Sequence, residues 1–299
     1  MKYDNFFIDS FLIEKQVNEG LSLNTMKAYK TVFNTFILND FVKINDSETY
    51  TDYNFKRFLG ESLTRYNWTS WTYNRYKKCL KCYCDFLIRE GYLKENPLLK
   101  IKTRKIAQTL PKFYNQKQVD LIMYTINRLY SGNDFISVRN RTIIYFYFYT
   151  GLRLHELIDL KLTDLNFEES CLKVVKGKGS KDRFIPIIKK LENILFFYLD
   201  YRSKLDLKTL NLFTTKYDGV MQHRDIYTII NKLKSNLDFP LTTHMFRHTF
   251  ATELARNNIN IFNIAQILGH SKIETTKIYL NFNLTSVANS INAIDMYNS

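Results

Sequence analysis

The chain has 299 residues, more than one hydrophobic core usually organises, so about two domains are expected. Hydrophobic residues make up 45% and charged residues 24%, with nine glycines and four prolines, a balance that excludes a disordered or fibrous chain. The 43 Lys and Arg against 29 acidic residues leave a net charge of +14, which points to a polyanionic partner, and no apolar run reaches the roughly 18 residues a membrane span requires.

In chain order, the first hundred residues read as helices. "NFFIDSFLIEKQV" places Phe7, Phe11 and Leu12 on one stripe, and "SLNTMKAYKTVFNTFIL" repeats the pattern with Met26, Tyr29, Val32, Phe33 and Phe36 behind Ser22 as N-cap. A third helix is expected over residues 52–63, and a fourth starts at Thr69 and closes at Gly91. The fourth contains Cys79, Cys82 and Cys84. With no second Cys pair or His nearby, that spacing cannot form a closed tetrahedral zinc set, so reduced helix packing is expected and no metal is implied. The opening "MKYDNFFIDS" lacks a signal-peptide pattern, and the free thiols suit a reducing compartment, so the expected location is cytoplasmic.

Residues 96–113, "NPLLKIKTRKIAQTLPKF", hold two prolines around a basic, non-periodic stretch that reads as a linker. Helices resume with "NQKQVDLIMYTINRLY" and "SVRNRTIIYFYFYTGL", the latter ending at Gly151. Over residues 166–188 the period changes to two, with "CLKVV" and "RFIPII" on either side of the loop "KGKGSKD", a β-hairpin pattern; helices follow. The fold class expected is mainly α with a small antiparallel β-sheet in the C-terminal domain. The divisions are 1–101, 102–112 as linker, and 113–299.

Several polar residues suit phosphate chemistry. His244 and Arg247 are spaced i, i+3 on one helix face, where a guanidinium fork matches two phosphate oxygens and an imidazole can hold a proton; a surface pair on an amphipathic helix is the plainer alternative. Arg153 follows Gly151 at a helix junction, and Lys178 lies between two glycines in the hairpin loop, which could equally be a solvated turn. In "LGHSKIETTKIYL", Gly269 ends one helix, and Ser271 with Glu274 forms a capping box for the next. His270 is thereby set in the turn, and Tyr279 falls about two helical turns further on, as a core tyrosine or as a group held out for reaction.

The order Arg153, Lys178, His244-x-x-Arg247, Leu-Gly-His270 and Tyr279 resembles the tyrosine recombinase, or phage integrase, family, with its nearest likeness in the Xer branch. "TGLRLHEL", "VVKGKGSKDRFIPI", "THMFRHTFATELA" and "IAQILGHSKIETTKIY" stand where that family's motifs stand, and "GLSLNTMKAYK" resembles its core-binding domain, so nearly the whole chain is covered. The resemblance implies a two-domain DNA clamp: residues 1–101 a helical core-binding domain and residues 113–299 the catalytic domain with a C-terminal exchange helix. It also implies a site-specific recombinase that cuts and rejoins DNA through a 3′-phosphotyrosyl intermediate and a Holliday junction.

By the same resemblance, Arg153 and Arg247 hold the scissile phosphate, and His244 and His270 bond its oxygens, His244 also handling the tyrosine proton. Lys178 is the general acid and Tyr279 the nucleophile; no cofactor is implied. His155 departs from the family, which commonly has a small hydroxyl residue there. Lys27, Lys30, Arg75 and Lys78 on the front domain, and Gln222, His223 and Arg224 in "MQHRDIY", become expected contacts to double-stranded DNA. The tail stripe Leu284, Val287, Ala288, Ile291 and Ile294 is expected to dock on a neighbour in a homotetramer or heterotetramer on synapsed DNA. Chromosome partition at cell division, mobile-element integration and inversion are all compatible biological tasks. A non-catalytic DNA-binding protein of the same fold and a type IB topoisomerase are the rival readings; no catalytic residue is missing, and the Xer-like front domain argues against the topoisomerase.

Overall fold

The computed structural model describes residues 6–21, 23–39, 41–43, 46–107, 111–175, 182–270 and 274–277. The chain divides into two compact units, Met1–Thr109 and Leu110–Ser299.

Among the described residues, the first unit has four α-helices, α1 (Phe6–Glu19), α2 (Leu23–Ile37), α3 (Asp52–Arg65) and α4 (Ser70–Arg89). Thr51 and Thr69 start α3 and α4 by accepting hydrogen bonds from the amides of Asn54 and Thr72, and Gly91, at φ +80°, takes the left-handed turn after α4. Ser22 lies outside the described residues. Every helix contributes aromatic rings to the core: Phe11 packs on Phe33 at 5.7 Å and on Tyr83 at 5.5 Å, and Phe36 stacks on Phe55. Cys79 and Cys84 are buried in this core, where burial pushes both thiols up, while Cys82 is half-buried. The first residues of the segment read as linker are fixed on α4. Asn74 donates to the Arg104 carbonyl at 2.8 Å and accepts from the Arg104 amide at 2.9 Å, which ties the chain to α4 at that point.

The second unit begins with α5 (Gln116–Leu129), α6 (Phe135–Thr150) and α7 (Leu154–Asp159). Its antiparallel sheet follows in the order β1 (Leu165–Asn166), β2 (Cys171–Val174) and β3 (Arg183–Pro186), with Leu172 opposite both Leu165 and Ile185. The two-strand expectation therefore gains β1, whose two residues are too short to show a period. Along β2 and β3, Leu172, Val174, Arg183 and Ile185 point inward, which places one charged residue among the inward-facing set. Five helices complete the described part: α8 (Lys189–Ser203), α9 (His223–Lys234), α10 (Thr243–Arg256), α11 (Ile261–Leu268) and α12 (Glu274–Lys277). The core is built on α6, which is buried around most of its circumference and packs on α8 and α10. No helix among the described residues is long and apolar enough to cross a membrane.

Candidate active site

Three helix ends meet in the second unit. α6 ends on Gly151, which is left-handed at φ +59°, and a Cβ there would lie 2.5 Å from a ring carbon of Phe250, so only glycine fits. Two residues on, Arg153 is the N-cap of α7. α11 ends on Gly269, also left-handed at φ +66°, and turns His270 back toward the same place. Arg247, on α10, ties these ends together: its guanidinium donates to the carbonyl of Gly151 at 2.9 Å and to that of Leu268 at 2.6 Å. The last carbonyls of a helix have no partner within it, and here an arginine side chain supplies one.

Glu156 organises the other side. It is buried on α7, and its carboxylate accepts from the Arg153 amide at 2.8 Å and the Arg153 guanidinium at 3.0 Å. It also accepts both terminal nitrogens of Arg183 at 2.8 Å, while Arg183 Nε donates to the carbonyl of Ile267 at 2.7 Å. Burial alone would raise the Glu156 pKa, but the hydrogen bonds and charges of Arg183 and Arg153 prevail and hold it down at about 2. Arg183 is enclosed, with 3% of its side chain exposed, whereas Arg153 keeps 32% exposed. Two guanidinium groups thus share one carboxylate, and the group with access to solvent is Arg153.

His270 is half-buried and bonded through Nδ1 to Oγ1 of Thr276 at 2.8 Å. Burial first, then the charges of Arg247 and Arg153, lower its pKa to about 4, so it is neutral at physiological pH. His248, one residue past Arg247, is lowered to about 4 by burial and by the neighbouring His244 and Arg247. His244 is exposed in the first turn of α10, on the side of that helix leading to Arg247.

Of the expected site residues, Arg153, Arg247 and His270 thus converge, with His244 at the border. Lys178 and Tyr279 lie outside the described residues, as do Ser271 and the tail from Leu284 to Ile294. His155 is exposed on α7. Sequence reasoning missed Glu156, Arg183, His248 and Thr276. The Arg-x-x-Glu spacing of "RLHEL" was the available sign for Glu156; a charge at an inward position of a strand was the one for Arg183.

Charged and aromatic groups also border the first unit's surface. Lys27, Lys30 and Lys78 are exposed, and a groove of about 430 Å³ between α2 and α4 has Tyr29, Trp71, Arg75 and Lys78 among its walls. The Arg75 guanidinium lies 5.5 Å from the Trp71 ring, and that tryptophan is 58% exposed, a feature the sequence reading overlooked. In the second unit Gln222, His223 and Arg224 are exposed at the start of α9.

A family model described as "Phage integrase family" matches residues 112–285, more than half of the chain and the span from the start of the second unit's described part past Tyr279. The chain belongs to the phage integrase family. Among phage integrase relatives, the tyrosine recombinase XerD of Listeria monocytogenes serotype 4b (strain F2365) is 30% identical over 292 residues, covering 92% of this chain and 93% of that protein. A tyrosine recombinase of Thermosipho africanus (strain TCF52B) is 31% identical over 265 residues, covering 87% of this chain and 89% of the relative. This phage integrase is accordingly a tyrosine recombinase of the Xer branch, an enzyme of site-specific recombination. Its fold is shared by the Tn1549 transposon integrase in complex with a circular intermediate DNA (TM-score 0.75, 19% identity, 95% of this chain and 98% of that one). It is also shared by the XerH recombinase bound to its difH substrate before cleavage (TM-score 0.71, 20% identity, 97% and 85%). At those identities the likeness is one of fold.

Proposed function

We propose that the chain cleaves one strand of double-stranded DNA with Tyr279, holds the 3′ phosphate as a tyrosine ester, and passes it to a partner strand through a Holliday junction. The observation that supports this most is the meeting of Arg153, Arg247 and a neutral His270 at one partly open place. One carboxylate is shared by two arginines there and a third arginine lies opposite, so positive charge is in excess where a phosphodiester would lie.

In this reading Arg153 and Arg247 bond the non-bridging oxygens and stabilise the charge that grows on them as phosphorus becomes pentacoordinate. The Thr276 hydroxyl lies 2.8 Å from His270 Nδ1, and in this reading it donates there, which puts the His270 proton on Nε2 for donation to the same oxygens. The Tyr279 oxygen attacks phosphorus, its proton passes to His244, the bond from phosphorus to the 5′-oxygen breaks, and Lys178 protonates that oxygen. Attack on the ester by a 5′-hydroxyl of the partner strand reverses these steps, so the bond energy is kept and no nucleotide cofactor is required.

Contacts from Lys27, Lys30, Arg75 and Lys78, and from Gln222, His223 and Arg224, supply phosphate and groove binding. The tail stripe of Leu284, Val287, Ala288, Ile291 and Ile294 docks on a neighbouring protomer in a tetramer, and the protein works in the cytoplasm. The structural neighbours solved with a difH substrate and with a circular intermediate DNA support the choice of partner.

The test uses a nicked site from which the cleaved fragment diffuses away. The wild type is expected to accumulate as a covalent adduct on a 3′ phosphate, and Tyr279→Phe, which keeps the ring but lacks the attacking oxygen, to bind without forming one. Lys178→Ala is expected to cleave slowly and to recover much of its rate on a 5′-thio leaving group, which needs no strong acid. An adduct from Tyr279→Phe would overturn the assignment of the nucleophile.

A further inference from the structure

Arg183 stands outside the set of residues assigned to the reaction, yet among the described residues its side-chain hydrogen bonds all go to this site. It reaches from an inward position on β3 to two separate elements. The carboxylate of Glu156 on α7 takes its two terminal nitrogens, both at 2.8 Å, and the carbonyl of Ile267 on α11 takes Nε at 2.7 Å. Each target adjoins a group already placed at the phosphate. Glu156 also holds the amide and guanidinium of Arg153, and the carbonyl after that of Ile267, on Leu268, holds Arg247.

Only a guanidinium can do this, because its donors leave one rigid plane in different directions, whereas an ammonium is a single point. The charge matters as much as the shape. With Arg183 present, Glu156 divides its negative charge between two arginines, and the trio retains one positive charge, accessible at Arg153. With Arg183 absent, Glu156 would pair with Arg153 alone and cancel it, while the end of α11 would lose one of its side-chain anchors.

We propose that Arg183 is a positioning residue for strand cleavage: from behind the site it sets both arginines of the phosphate clamp and keeps Glu156 from neutralising Arg153. This rests on the recombinase reading above.

The test compares wild type and Arg183→Lys on a nicked site carrying an ordinary scissile phosphate or a methylphosphonate. In the latter a methyl group replaces one non-bridging oxygen, so the reacting group is neutral and makes less use of the arginine charge. Arg183→Lys is expected to bind DNA within about twofold of wild type and to form adduct on the phosphate about 10- to 100-fold more slowly, the scale that misplaced reacting groups produce. On the methylphosphonate the loss should be much smaller, so that the ratio of the two rates rises about tenfold over the wild-type ratio. A purely structural role would slow both substrates equally, and that result, or wild-type rates on both, would overturn the proposal. If Arg183→Lys does not fold, Glu156→Gln, which keeps the shape but removes the carboxylate that would neutralise Arg153, should shift the ratio in the opposite direction, favouring the phosphate; an unchanged ratio there is equally contrary. Wild-type protein that binds the site and forms no adduct would instead overturn the recombinase reading, and the proposal with it.

Discussion

The two units use positive charge in opposite ways. In the second, Arg139, Arg183, Arg202 and Arg247 are buried and held by carbonyls, a side-chain amide or a carboxylate, each in one geometry. In the first, the core is mostly aromatic and aliphatic, Lys15 being its one buried cation among the described residues, and Lys27, Lys30 and Lys78 stand in water. Burying a charge is costly unless hydrogen bonds replace its water, so it is done where the position of the charge has to be fixed. A hydrated lysine is suited to the other task, attraction that tolerates many arrangements of the backbone it meets.

Four experiments can break or sharpen this contrast. The largest effect is expected from Arg247→Lys, which should lower the rate of adduct formation by about 100- to 1,000-fold, the usual result of removing a donor aimed at developing charge. A single-turnover cleavage assay at saturating DNA measures it, and a loss below tenfold would mean that the fixed geometry is unimportant. Next, Gly151→Ala places a Cβ 2.5 Å from Phe250 at φ +59°, and should cost about 1–3 kcal/mol of stability, read by denaturant unfolding, and slow cleavage by displacing the carbonyl that holds Arg247.

Third, His248 and His270 each have a folded pKa near 4, below the usual 6.5 for histidine, so the unfolded chain binds more protons between those values. Stability should be full above about pH 6.5 and fall as the pH drops toward 4, before the Glu156 contribution, present above the ordinary carboxylate pKa, is lost toward about 2. Melting temperatures across pH 4–8 check this, and His270→Gln should flatten part of the slope. The smallest effect belongs to the hydrated cations: Lys78→Ala should weaken DNA binding modestly and reduce the slope of log affinity against log salt by about one. A variant with an unchanged slope would remove Lys78 from the phosphate contacts.

Much of this was legible in the sequence because it depends on local chemistry. The helix start at Thr69 and the glycine stops at 91, 151 and 269 are decisions of one or two residues, and the structure has a helix boundary at each. Arg153, Arg247 and His270 were legible as residues, from the order of their motifs. Their arrangement was not, because it depends on pairs distant in the chain: Arg183 with Glu156 across 27 positions, and Arg247 with Gly151 across 96. Periodicity reports which way a side chain points and is silent about what it meets. The same limit hid the Asn74–Arg104 amide pair, which fixes part of a stretch that composition alone presents as free linker.

The carbonyls that hold Arg247 belong to the C-terminal ends of α6 and α11, where the aligned peptide dipoles of a helix amount to about half a negative charge. Two such ends facing one guanidinium offset much of the cost of burying it. Unlike a carboxylate, however, a dipole has no net charge to give, so these two contacts hold the cation without discharging it. The full positive charge remains for an incoming anion, and the fold obtains this from the way two helices stop.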